Sequence, residues 1–270
     1  MSKPAADLHD DCIETRDEAS SGMLNVEVWR GSADEGSFRQ YKVPQYKSQT
    51  VLDIVSWIQQ HEDAGLSYRF ACRVGMCGSC AMMVNGVPRW TCRTHVERVV
   101  KNASLRIAPL RNLPVIRDLV VDMDPFFDKW TKAEGFHHPS RSRHDPVADI
   151  NPQSQDRMQA SAGIECINCA VCYAACDTVA GNDAYLGPAA LMRAWTVLND
   201  TRDAGKKEVL DAVSGHGGCH NCHSMGSCAQ YCPNELNPML AIAGLKRETV
   251  RAMLPGSSPS DTRSRKDSDA

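Results

Sequence analysis

Thirteen cysteines in a 270-residue chain constrain its fold more than any other feature, because most of them stand within a few residues of the next. They form three runs: Cys72-x4-Cys77-x2-Cys80 with Cys92 shortly after, Cys166-x2-Cys169-x2-Cys172-x3-Cys176, and Cys222-x5-Cys228-x3-Cys232-Pro233. Thiols this close in sequence suit chelation of a shared centre better than the stapling of distant loops. The N-terminus, MSKPAADLHDDCIETRDEASSG, lacks the apolar stretch of an export signal, so the expected compartment is reducing and disfavours disulfides. The fold must therefore be organised partly by loops that wrap inorganic centres.

The spacing says which centres. An x4-then-x2 loop is the pattern of plant-type [2Fe–2S] ferredoxins, and x2-x2-x3 is that of bacterial two-cluster ferredoxins. Zinc also takes four thiolates, but zinc ribbons use two Cys-x2-Cys knuckles, which the first loop lacks. In the two-cluster pattern the fourth cysteine of each run serves the cluster of the other run. On that pattern Cys166, Cys169, Cys172 and Cys232 hold a [4Fe–4S] cube, while Cys176 crosses to join Cys222 and Cys228. Position 225, where that second set needs a thiolate, is Met225. Three ligands favour a [3Fe–4S] centre, with Cys219 as the competing source of a fourth. Cys12 is a bystander in the N-terminal tail, and His216, His220 and His223 read as neighbours of the third run rather than ligands.

Local patterns place these runs on a two-part α+β architecture. Residues 1–21 and 256–270 read as mobile tails. Residues 22–120 read as a [2Fe–2S] ferredoxin unit of β-grasp type. Alternation from Leu24 to Val28 gives a strand, a second strand ends at Pro44, and Thr50 with Asp53 caps a helix striped by Val51, Ile54, Val55 and Ile58. Asn85-Gly86 closes a hairpin. In a two-residue loop Val84 faces Val87, so Cys80 falls opposite Thr91, and Cys92 is delivered to the other three cysteines by the turn. Residues 121–255 read as a mainly α-helical unit carrying the other two runs, with 131–160 as a linker or surface excursion. Gly187-Pro188 opens a helix with Leu191, Ala194, Trp195 and Leu198 on one face, and Asn237-Pro238 opens the last helix.

Bulk composition is 42% hydrophobic and 23% charged, with net charge −3. Nothing in that balance points to nucleic acid, and no apolar run approaches the roughly 18 residues of a membrane span. No Walker loop, GxGxxG, Ser-His-Asp set or paired-carboxylate motif is present, so the chain has no evident substrate chemistry of its own.

Taken together, CRVGMCGSC with its nearby fourth cysteine, CINCAVCYAAC and CHSMGSCAQYCPNELNP resemble the iron–sulfur subunit of succinate dehydrogenases and fumarate reductases, over residues 22–255. GLSYRFACR, RDLVVDM, YLGPAAL and DTRDAGKKE look closer to fumarate reductases, and CHSM closer to succinate dehydrogenases. The resemblance implies a [2Fe–2S], a [4Fe–4S] and a [3Fe–4S] centre carrying single electrons between an FAD-containing flavoprotein subunit and a membrane quinone. Membrane anchor subunits would hold the chain peripherally on the cytoplasmic face of the inner membrane. The position of His223 is the quinone-proximal one in such proteins. Two departures stand out: Asp177 where a Pro often follows the crossover cysteine, and Gly181 where ubiquinone-reducing members carry Trp. The alternatives are a wiring subunit of another flavoprotein dehydrogenase and a zinc-stabilised interaction module.

Overall fold

The computed structural model describes residues 22–254; both expected tails and Cys12 lie outside them. Five strands build the N-terminal sheet: β1 Gly22–Arg30, β2 Ser37–Gln45, β3 Ala81–Val84, β4 Val87–Trp90 and β5 Ser104–Ala108, in the order β2-β1-β5-β3-β4. β1 and β5 run parallel and the other pairings are antiparallel. α1 (Val51–His61) lies across one face, so that Leu24, Val26 and Val28 from β1 meet Val51, Ile54, Val55 and Ile58 in a closed apolar core. Its start is a reciprocal cap: Asp53 N–H donates to Thr50 Oγ1 at 3.3 Å, and Thr50 N–H donates to Asp53 Oδ2 at 3.0 Å.

One boundary differs from expectation. The second strand does not stop at Pro44, which pairs with Met23 inside the ladder. β2 is an edge strand, and there a missing N–H leaves no inner neighbour unserved.

A short helix α2 (Val96–Val99) precedes β5, and a two-stranded ribbon follows it, β6 Val115–Arg117 and β7 Val120–Val121. At its turn Asp118 is buried with φ +52°. Its carboxylate accepts N–H groups from Gly31 (2.7 Å) and Ser67 (2.8 Å) and pairs with the Arg30 guanidinium. One side chain thus joins the end of β1, the segment leading to the first cysteine loop, and the ribbon.

The remaining chain is helical: α3 Asp124–Lys132, α4 Gln155–Ser161, α5 Val171–Ala174, α6 Asp177–Gly181, α7 Pro188–Leu198, α8 Lys206–Ser214, α9 Ser227–Gln230 and α10 Pro238–Met253. The Asn237 side chain caps α10 by accepting the Leu240 N–H at 3.1 Å. α7 is not an amphipathic surface helix with one apolar face. Leu191, Met192, Ala194, Trp195, Val197 and Leu198 are all buried, because α3, α4, α8 and α10 surround it. Gly244 on α10 makes room: a Cβ there would lie 2.5 Å from the Trp195 ring.

Residues 133–154 form a surface excursion pinned to the α7–α8 connection rather than a free tether. His138 N–H donates to Asp203 Oδ2 at 2.7 Å, and Ala204 and Ser140 complete a short bridge with His138 and Arg202. The sheet and helical parts share one buried cluster, in which Cys80, Trp90 and Cys92 pack with Ala170, Cys172 and Tyr173. The loop after β5 tightens that junction. Asn112 Nδ2 donates to the carbonyls of Tyr173 (2.9 Å) and Cys176 (3.0 Å), and Arg111 Nε donates to that of Ala174 (3.1 Å). These bonds tie the loop to the last two carbonyls of α5 and to that of Cys176 at the start of α6.

Candidate iron–sulfur centres

The first loop, between α1 and β3, turns its backbone inward. N–H groups of Met76 and Cys77 point at Cys72 Sγ (3.2 and 3.3 Å), and the Cys72 N–H points at Cys77 Sγ (3.5 Å). The hairpin delivers the fourth thiol as its register requires. Asn85 and Gly86 take φ +49° and +79°, Val84 pairs with Val87, and Thr91 N–H donates to Cys80 O at 3.2 Å. Cys92 then sits in a 3-10 turn, buried close to Cys80 and Cys72. Two opposed electrostatic environments result. Donation from the Cys72 N–H and from Ser79 pulls the Cys77 thiol down to about 6. Burial, then proximity to Cys80, pushes the Cys92 thiol up to about 12.

The second group gathers around one small pocket lined by Cys166, Cys169, Cys172 and Cys232. Burial drives the thiols of Cys166, Cys169 and Cys172 upward, Cys169 to about 11, and each of these thiols also feels the charge of neighbouring cysteines. Thiolates this dense and dry are stable only around a cationic core, whose binding releases their protons. The donor set therefore fits iron.

A second small pocket is lined by Cys176, Cys222 and Cys228 together with His223, Met225 and Tyr185. Each pocket thus draws cysteines from both runs. Burial, then Cys176 and Cys222, holds Cys228 up at about 11.

The two runs also repeat one backbone shape. Asn168 and Ala170 are left-handed (φ +57° and +60°), and so are Ser224 and Gly226 (φ +57° and +82°). Ala170 caps α5 just as Gly226 caps α9. By that correspondence Met225 occupies the place that Cys169 takes in the run from Cys166 to Cys176. Its side chain is largely exposed, 63%.

Cys219 is fully buried but faces elsewhere, with its Sγ 3.9 Å from Thr249 Oγ1 on α10, and it does not line the pocket. Cys219→Ala is expected to leave all three centres in place, at a stability cost of about 1 kcal/mol. Loss of one paramagnetic centre in that variant would restore Cys219 as a ligand. His220 is engaged by the same threonine, Nε2 to Oγ1 at 3.0 Å, whereas His223 is exposed at the pocket mouth. Asp177 begins α6 and pairs with Arg111 at 2.8 Å, and a side chain at Gly181 would meet nothing within 4 Å.

Sequence reasoning missed three neighbours of these pockets. Tyr185, 1% exposed, places its hydroxyl toward Cys222, and its ionisation is pushed far up by burial. Lys246 Nζ donates to the Cys222 carbonyl at 2.6 Å. Trp90 lines the pocket of the second group although it belongs to the hairpin of the first.

Comparison with known proteins agrees with this layout. Residues 25–128 match the family described as 2Fe-2S iron-sulfur cluster binding domain, and residues 165–237 match the 4Fe-4S dicluster domain. The fumarate reductase iron-sulfur subunit of Haemophilus influenzae is 34% identical over 249 residues, covering 86% of this chain and 95% of that one. A mitochondrial succinate dehydrogenase (ubiquinone) iron-sulfur subunit of Oryza sativa subsp. japonica is 34% identical, covering 87% and 85%. A chain of the Mycobacterium smegmatis Sdh1 complex in the apo form superposes with TM-score 0.77 at 25% identity, over 88% of this chain and 100% of that one. With two cysteine-bearing parts in the same order and this likeness along most of its length, the chain belongs to the family of succinate dehydrogenase and fumarate reductase iron–sulfur subunits.

Proposed function

We propose that this chain is the electron-carrying subunit of a succinate:quinone or quinol:fumarate oxidoreductase. Cys72, Cys77, Cys80 and Cys92 hold a [2Fe–2S] cluster. Cys166, Cys169, Cys172 and Cys232 hold a [4Fe–4S] cluster, and Cys176, Cys222 and Cys228 hold a [3Fe–4S] cluster. Such clusters, when bound, supply reversible one-electron chemistry. The chain's own residues aim backbone N–H groups at the sulfurs, keep water from the second group, and fix the order of the three stations. The exchange of cysteines between the two pockets carries this reading, because a single-centre metal site has no use for it.

Two exposed apolar rims support the assignment of partners. Phe70, Val74 and Met76 are exposed on and beside the first loop, and Met225 is exposed at the pocket of Cys176, Cys222 and Cys228. Exposed apolar clusters of this kind mark interaction surfaces. The first rim faces the FAD-containing flavoprotein, and the second, with His223, faces the membrane anchor subunits and the quinone. No helix among the described residues is long and apolar enough to cross a membrane. The proposal places attachment through those partners, on the cytoplasmic face.

Low-temperature EPR of the purified complex during a redox titration tests the assignment. Three magnetically distinct centres are expected, together with succinate oxidation or fumarate reduction by the co-purified flavoprotein. Zinc in place of iron and acid-labile sulfide would overturn the reading in favour of a structural module. Three centres beside a flavoprotein inert to both dicarboxylates would assign the chain to another dehydrogenase.

A further inference from the structure

Trp90 ends the hairpin of the first group, two residues before Cys92, yet its side chain projects into the second. It is 6% exposed, and its indole nitrogen is buried with no hydrogen-bond partner. A buried indole N–H normally finds an acceptor, and leaving one unmet costs about 1–3 kcal/mol. Five tryptophans occur in the chain, and Trp90 is the one that lines this pocket.

The packing around it is tight. A Cβ on Gly75 of the first loop would lie 3.4 Å from the Trp90 ring, and a Cβ on Gly78 would lie 2.5 Å from the Cys169 Cβ. The ring is therefore held between one cysteine loop and the next. Cys169, against which the first loop packs, lines the same pocket as Trp90, and the indole N–H there has no partner. A cluster-bound thiolate sulfur is a strong acceptor and would give this N–H the partner it lacks.

We propose that the Trp90 indole N–H donates to the Cys169 sulfur in the loaded protein and thereby raises the reduction potential of the second centre. Reduction adds one negative charge to the cluster and its thiolates. A fixed donor at a ligand sulfur stabilises that added charge more than it stabilises the oxidised state. Trp90 is thus a positioning residue contributed by the first group to tune its neighbour. This inference rests on the ligand set proposed above.

The test compares the wild-type complex with Trp90→Phe, which keeps an aromatic ring and removes the N–H. In an EPR-monitored redox titration the [4Fe–4S] midpoint of the variant is expected to move to lower potential, with the [3Fe–4S] midpoint unmoved. A [4Fe–4S] signal that persists at the wild-type midpoint would overturn the proposal. A second measurement needs no substitution: wild-type protein carrying indole-15N tryptophan, examined by pulsed EPR with the [4Fe–4S] centre reduced. A 15N coupling on that centre supports the contact, and its absence overturns it even if the variant fails to assemble. Complete lack of a [4Fe–4S] signal in wild-type protein would instead strike at the ligand set itself, and this inference would fall with it.

Discussion

Met225→Cys is expected to convert the three-iron centre into a four-iron one. The left-handed pair Ser224 and Gly226 gives position 225 the backbone setting that Cys169 has in the run from Cys166 to Cys176, so on the proposed ligand set a thiol there is expected to reach a fourth iron. The side chain is exposed and packs against little, so the exchange costs little stability. The extra thiolate makes the site more negative and lowers its reduction potential. Each ~59 mV of lowering reduces its share of a single electron about tenfold, so transfer to quinone is expected to fall by one or more orders of magnitude. The oxidised-state EPR signal of the three-iron centre should vanish, and a new signal should appear on reduction. An unchanged oxidised-state signal would contradict the assignment of Cys176, Cys222 and Cys228.

Asp118→Ala carries the largest expected loss of stability. The substitution strips the acceptor from two backbone N–H groups, those of Gly31 and Ser67, and removes one carboxylate from the part-buried Arg30. Arg30 keeps a bidentate pair with Asp63, Nε and Nη2 each at 3.0 Å, which softens the effect. Two orphaned donors and a weakened buried pair together cost about 3–5 kcal/mol. Ser67 lies on the approach to Cys72, so the [2Fe–2S] absorbance should bleach at a lower temperature than the signals of the other centres. Melting followed separately at the visible bands and by far-ultraviolet circular dichroism would show it. A variant that melts within a degree of wild type would mean that water replaces the carboxylate at both N–H groups.

Much of this was legible in the chain because it is written at short range. The Asn85-Gly86 turn sets a period-two register, and that register alone puts Cys80 beside Thr91. Thr50 and Asp53 announce a helix start three residues apart, and Asn237-Pro238 does the same for the last helix. The cysteine runs carry their pattern in fixed offsets. What escaped detection depends on contacts between distant segments. Pro44 looks like a strand end until β2 is known to be the sheet edge. α7 looks one-faced because a periodic stripe does not reveal how many helices will pack on its other sides. Asp118 sits in an unremarkable RDL triplet, and its partners are 51 and 87 residues away. Trp90 reads as a hairpin residue, and no local spacing says that its ring serves the neighbouring pocket.

The swapped cysteines also govern when the protein can be finished. Cys232 completes a pocket begun at Cys166, and Cys228 completes the one begun at Cys176, so both helical-half pockets gain their last cysteine only at or just after α9. On the proposed ligand sets, loading of that half is expected to follow synthesis of α9, an order set by the chain itself.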